Sequence, residues 1–232
     1  MKNIVVFAGG NGSNFQAVID AVNAKNIKGK ITGLIAGRAD IYSIERAKKH
    51  NIPFCVICSK DYVSQEEFDR ANLDKCAEWG ADLIVFAGYL AILGPGFIEK
   101  YRNKIINIHP SLIPSFCGSG FYGLKVHEAA LAKGVKITGA TTHFVDEGTD
   151  TGPIIMQRAV EVLDDDTPES LQKRVLEVEH EVLVETIRLF CEDSILIKSV
   201  KKITADEDKI SVKKITADEH KILIESMRDY AK

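Results

Sequence analysis

An amide and an imidazole two residues apart, Asn107 and His109 in the string Ile106-Asn107-Ile108-His109-Pro110, are the side chains best placed to do chemistry. Alternate residues of a strand share a face, so the pair projects together if this apolar run is extended. Pro110 favours an extended His109 and ends the strand pairing. An amide NH2 can donate to a developing oxyanion, while an imidazole can donate a second hydrogen bond and move a proton near neutral pH. That combination suits acyl transfer. Spacing alone fits equally well a histidine that is only a satisfied polar residue.

Asp150 lies in the turn-rich stretch Asp146-Glu147-Gly148-Thr149-Asp150-Thr151-Gly152. If that loop folds over His109, an ionised Asp150 would stabilise the imidazolium and raise its pKa. Its other reading is turn formation, and Asp146, beside a strand end, is read as a turn or capping residue. Near the start, Gly9-Gly10-Asn11-Gly12-Ser13-Asn14 leads into a helix and offers backbone N–H, hydroxyl and amide donors to an anion. One phosphate suits it. A dinucleotide suits it less, because the third glycine of GxGxxG would fall at Phe15 and Ala36-Gly37-Arg38 offers no immediate acid for a ribose. Tight turn geometry alone would also call for these glycines.

The elements that must position these groups are legible as periodicity. Short β-branched runs recur at Ile4 to Phe7, Ile31 to Ile35, Phe54 to Ile57, Leu83 to Phe86 and Ile105 to Ile108. Segments of helical spacing, Asn14 to Ala24, Ile41 to His50 and Gln65 to Trp79, separate them. The alternation predicts an α/β fold with a doubly wound, mostly parallel open sheet, whose ligands bind beyond the carboxyl ends of the strands. Lys136 to Val145 and Pro153 to Val162 read as further strands. Thr167-Pro168 opens a long C-terminal helix to about Phe190, with Leu171, Val175, Val178, Val182 and Leu189 on its packed face.

A chain of 232 residues with 45% hydrophobic and 27% charged residues can bury a substantial core, and residues 1–190 read as one domain. The net charge of -3 gives no general attraction to nucleic acid or membrane, so small molecules are the expected partners. No apolar run has the length of a signal peptide core or a membrane span, which makes the cytoplasm the expected location. Five cysteines without regular spacing read as free thiols, and the lone Cys55-x-x-Cys58 pair as buried strand-end residues rather than metal ligands. Residues 191–232 form an extension with a tandem 12-residue repeat, Ser199 to Ile210 and Ser211 to Ile222, differing only at Asp208 and His220. A peripheral hairpin or tail is expected there.

Taken together, Gly10-Asn11-Gly12-Ser13-Asn14, Ala87-Gly88-Tyr89-Leu90, Asn107-Ile108-His109-Pro110-Ser111-Leu112-Ile113-Pro114, Thr142-His143-Phe144-Val145 and Asp150-Thr151-Gly152-Pro153 resemble the phosphoribosylglycinamide formyltransferase family over about residues 1–190. The resemblance implies a formyltransferase-like Rossmann variant that moves a formyl group from 10-formyltetrahydrofolate to glycinamide ribonucleotide, with no metal. It also implies that Asn107, His109 and Asp150 are catalytic. Gly12, Ser13 and Asn14 would hold the substrate phosphate, and Glu179 would contact the ribonucleotide. Leu90, Ala91, Ile92 and Leu93, with Asn107 and Asp146, Glu147, Gly148, Thr149 and Asp150, would surround the folate.

The chain departs from the family pattern at Gln65 and Ala91, where relatives often carry arginine, which removes a guanidinium partner for the folate's anionic tail. The loop from Ser115 to Gly123 is longer than usual; its glycines and aromatics suit either a mobile lid or a packed surface loop. Rival functions are a formyltetrahydrofolate hydrolase, a methionyl-tRNA formyltransferase and a catalytically silent nucleotide-binding module. The pattern leaves the oligomeric state open.

Overall fold

Apolar strands and helices alternate through the computed structural model, which describes residues 1–201, 208–214 and 222–225. The five expected runs become β1 (Lys2–Ala8), β2 (Gly29–Ala36), β3 (Phe54–Val56), β4 (Leu83–Ala87) and β5 (Ile105–His109). Between them lie α1 (Ser13–Asn23), α2 (Tyr42–Lys49) and α3 (Gln65–Glu78), each within a residue of its expected bounds. Two helices not singled out from the pattern are α4 (Pro95–Lys100) and α5 (Leu124–Lys133). The first is only six residues long, and the second starts from Gly123 with no side-chain cap to announce it.

The sheet runs β3-β2-β1-β4-β5-β6-β7, its first five strands parallel and β6 (Ile137–Phe144) and β7 (Ile154–Glu161) antiparallel. The chain leaves the central β1 toward β2 on one side and returns to β4 on the other. That reversal opens a crevice beyond the carboxyl ends of β1 and β4, the usual ligand position in such sheets. The loops at this crevice meet closely: a Cβ on Gly9 would stand 2.5 Å from the carbonyl oxygen of Gly88. Glycine is therefore required for backbone contact at the switch point.

Both faces of the sheet are covered, which explains why its central strands are near-continuous apolar runs rather than alternating ones. Ile4, Val6 and Val85 pack with Phe15 and Val18 of α1 and with Leu183 and Ile187 of the long helix α6 (Pro168–Cys191). Val5, Phe7, Ile84 and Phe86 face Phe68 and Phe97 on the other side. Each such buried side chain contributes roughly 1.5–3 kcal/mol relative to exposure. The α6 start is capped reciprocally: Ser170 N donates to Thr167 Oγ1 at 3.2 Å, and Thr167 N donates to Ser170 Oγ at 2.9 Å. Leu171, Val175, Val182 and Leu189 are buried as expected, while Val178 is half-buried at the edge of that face.

Cys55 and Cys58 correct the expectation of burial. Both are half-buried: Cys55 sits in β3, a three-residue edge strand whose Phe54 and Val56 are exposed, and Cys58 lies in the turn beyond it. Beyond α6, β8 (Ile195–Lys201), β9 (Asp208–Lys214) and β10 (Ile222–Glu225) pair with one another. The remainder of the tandem repeat lies outside the described residues. Among the described residues no helix is long and apolar enough to cross a membrane.

Candidate active site

Asn107 at the middle of β5 and His109 at its end face the same way, and β6 pairs alongside through the register Asn107↔His143 and His109↔Thr141. After β6 the chain turns back into β7 through the Asp146–Gly152 stretch, which brings Asp150 over the end of β5. Its carboxylate lies 3.5 Å from His109 Nδ1 and 3.6 Å from His143 Nε2, and accepts from Gly118 N at 2.9 Å. Asp150 adopts φ 58, a left-handed backbone that Asp tolerates better than most residues.

Hydrogen positions follow from what each partner can do. Carbonyl oxygens only accept, so His109 donates from Nε2 to Phe116 O at 2.9 Å, and His143 donates from Nδ1 to Phe144 O at 2.8 Å. His143 Nε2 is thereby left to accept from Asn107 Nδ2 at 3.0 Å. The Asn107 amide also reaches Asp150 Oδ1 at 3.4 Å. His109 has an acceptor at each ring nitrogen, an arrangement that only the imidazolium satisfies fully.

Burial nonetheless is the larger influence and holds the His109 pKa below its usual value, against the upward pull of the Asp150 carboxylate and the Phe116 carbonyl. Asp150 pulls upward as expected, but its pull only limits a depression. Burial is the largest influence and disfavours ionised Asp150, but the adjoining His143 ring, the Gly118 N–H and the neighbouring His109 together outweigh it and lower the carboxyl pKa. The pair therefore keeps a carboxylate against an imidazole poised to release its proton.

A cleft of about 820 Å³ runs from this cluster to the glycine-rich loop. Ser13 and Asn14 line its far end, and Gly12 supports them as the α1 N-cap with φ 76. A Cβ there would stand 2.5 Å from Ser43 Oγ, so glycine is needed for both conformation and space. Glu179, carried in by α6, lines the same end and accepts from Asn14 Nδ2 at 2.8 Å. Burial drives its pKa up to about 7, partly offset by that hydrogen bond. Asn14 Oδ1 is buried without a protein partner.

Of the positions the resemblance assigns to folate, Leu90, Ile92, Asn107, Thr149 and Asp150 line the cleft. Leu90 and Ile92 are exposed, 65% and 74%, at its mouth. The others face elsewhere. Ala91 and Leu93 pack into the core below, Glu147 pairs with Arg102, and Asp146 accepts from Gly148 N and Thr151 Oγ1. Gln65 braces the 90–94 segment from behind, donating to Asp69 Oδ1 and Ile92 O, while Gly94 N donates to Asp69. The 115–123 loop is packed onto the site through the Phe116 and Gly118 contacts.

Two site residues carried no sequence-based role. His143 belongs to a recognised string, but its contact with Asn107 depends on the β5–β6 register. His127, on the unrecognised α5, lines the cleft fully buried; burial and then the neighbouring charge of His109 press its pKa down to about 4. Among the described residues no cluster of three His, Cys, Asp or Glu could hold a metal.

Known proteins share this sequence pattern and fold. Residues 2–187 match the Formyl transferase family model. A phosphoribosylglycinamide formyltransferase of Bacillus subtilis is 39% identical over 78% of this chain and 90% of its own length. A chloroplastic enzyme of that name from Arabidopsis thaliana is 37% identical over 84% of this chain and 67% of its own. Among solved structures, glycinamide ribonucleotide transformylase 1 from Symbiobacterium toebii superposes with a TM-score of 0.81 at 39% identity, covering 85% of this chain and 91% of that one. Fold and sequence agree: the chain belongs to the phosphoribosylglycinamide formyltransferase family.

Proposed function

We propose that this chain transfers the formyl group of 10-formyltetrahydrofolate to the amine of glycinamide ribonucleotide. The products are formylglycinamide ribonucleotide and tetrahydrofolate, in de novo purine biosynthesis. The observation that supports the assignment of residues is one continuous cleft. Asn107, His109 and Asp150 stand at one end, and Ser13, Asn14 and Glu179 at the other.

In this reading the loop N–H groups and the Ser13 and Asn14 side chains hold the phosphate at the α1 N-terminus. Glu179 receives a ribose hydroxyl. The substrate amine attacks the formyl carbon, and charge develops on the formyl oxygen. His109, turned from the Phe116 carbonyl toward the substrate, donates to that oxygen alongside the Asn107 amide. The tetrahedral intermediate collapses as the attacking nitrogen loses a proton and the folate nitrogen gains one. Asp150 keeps the imidazolium paired while this exchange proceeds. Leu90 and Ile92 offer apolar contact to the pterin. The partners are small molecules, and free thiols at all five cysteines support a cytoplasmic, reducing setting.

The test is substrate dependence in the purified full-length chain. Tetrahydrofolate should form only when glycinamide ribonucleotide is present. Release with water alone would indicate a hydrolase, and folded protein inactive under both conditions would indicate a silent binding module.

A further inference from the structure

The cleft must hold an anionic phosphate, yet among the described residues no lysine or arginine lines it. A cation stands behind the loop instead. Arg46 of α2 donates from Nε to Asn11 O at 2.9 Å, from Nη2 to Asn11 Oδ1 at 2.8 Å and from Nη1 to Gln16 Oε1 at 3.0 Å. Its guanidinium also lies 4.9 Å from the centre of the Tyr42 ring. All of these partners are neutral, and among the described residues Arg46 has no carboxylate in ion-pair range, whereas Glu45 beside it is taken by Lys48. The charge is therefore fixed by a planar fork on neutral hydrogen-bond partners, with no ion pair among the described residues.

Its contacts also decide which way the loop peptides point. In a trans peptide the C=O and N–H are opposed. Ser43 N and Oγ both donate to Gly10 O, at 3.3 and 2.7 Å, and Arg46 Nε holds Asn11 O. With both carbonyls drawn toward α2, the N–H groups of Asn11 and Gly12 are turned away from it. That is the donor-outward geometry an anion requires. Arg46 also reaches α1 itself through Gln16, so the loop and the helix start are braced as one unit.

We propose that Arg46 is a positioning residue for the substrate phosphate, holding the Gly10–Gly12 peptides donor-outward and supplying the positive field that the cleft lining lacks. It touches the loop and not the substrate. The inference rests on the phosphate-loop reading above and predicts a separable phenotype: weakened phosphate recognition with the formyl-transfer chemistry kept.

The experiment measures binding of ribose 5-phosphate to the full chain by calorimetry, for wild type, Arg46→Met and Arg46→Lys, with thermal melts as the check on folding. Wild type should bind. Arg46→Met should raise Kd by about 10-fold or more, as expected for loss of hydrogen bonds to a charged group. Arg46→Lys should fall between, since it keeps the charge and loses the fork. In turnover, KM for the ribonucleotide should rise with kcat and the folate KM retained. Folded Arg46→Met binding within about twofold of wild type would overturn the role, as would a loss confined to kcat. Should Arg46→Met fail to fold, Arg46→Lys decides alone: an unchanged Kd refutes the proposal. A wild type that ignores ribose 5-phosphate refutes the phosphate loop and Arg46 together. Arg46-dependent binding in a chain without formyl transfer would sustain this inference and reject only the activity.

Discussion

The two ends of the cleft are built on different physical principles. The glycine-rich end relies on backbone N–H dipoles and neutral side-chain groups beside the single buried carboxyl of Glu179, with Gly12 as helix cap and Arg46 and Ser43 bracing the carbonyls from behind. At the β5 end, titratable groups are packed within ion-pair range: two imidazoles around one carboxylate, all largely screened from water. Recognition of an anion needs directed donors that stay in place. Proton movement needs groups whose charge is finely balanced, which burial and the mutual contact of His109 and Asp150 provide. Substitutions at one end should therefore change binding, and substitutions at the other should change the rate of chemistry.

The largest separation is expected from His109→Ala. Loss of the proton donor should lower kcat by about 10²- to 10⁴-fold, with ribonucleotide affinity within about twofold of wild type. Steady-state kinetics beside calorimetry would show it, and an equal loss in both would erase the contrast between the ends.

Next in size is Glu179→Gln, where stability and function should move in opposite directions. The buried Glu179 titrates at about 7 in the fold, against about 4.3 for an ordinary glutamate, so it binds its proton more tightly when folded. Its contribution to stability is full below about pH 4.3 and is lost as pH rises through about 7. The neutral amide avoids that loss, so the variant should gain stability over wild type with rising pH, on the order of 3 kcal/mol above pH 7. Ribonucleotide affinity should fall at the same time. Denaturant midpoints at pH 5 and pH 8 give the comparison, and a pH-independent difference would contradict it.

The smallest effect tests whether the two ends are mechanically joined. Gly9→Ala sets a methyl against the Gly88 carbonyl and should cost about 1–3 kcal/mol of stability. Because Gly9 leads the phosphate loop and Gly88 leads the Leu90–Ile92 segment, KM should rise for both substrates. A rise for only one would show that the loops move independently.

Local chemistry and periodicity make much of the fold legible in the sequence. The parallel strands stand out because burial on both faces demands unbroken β-branched runs, and Thr167-Pro168 marks the α6 start because capping involves only neighbouring residues. Asn107 and His109 can be paired from strand periodicity alone. What stays hidden depends on tertiary geometry. His143 meets Asn107 only through the β5–β6 register, and Arg46 reaches Asn11 only because α2 packs beside the loop. Glu147 has the position of a cleft residue in the Asp150 loop, yet its side chain turns to Arg102 at the surface. The sign of the His109 shift is equally inaccessible to sequence, since it depends on burial outweighing a carboxylate 3.5 Å away.

The most direct test of the central claim is the single-turnover rate of formyl transfer in Asp150→Asn, measured alongside ribonucleotide binding. The substitution keeps shape and removes charge, so the rate should fall by about 10²- to 10⁴-fold while Kd stays within about twofold. The His109 imidazole, followed by NMR, should titrate lower than in wild type, because burial would then act without the opposing carboxylate. A near-wild-type rate in a folded variant would contradict the account and remove Asp150 from the reaction.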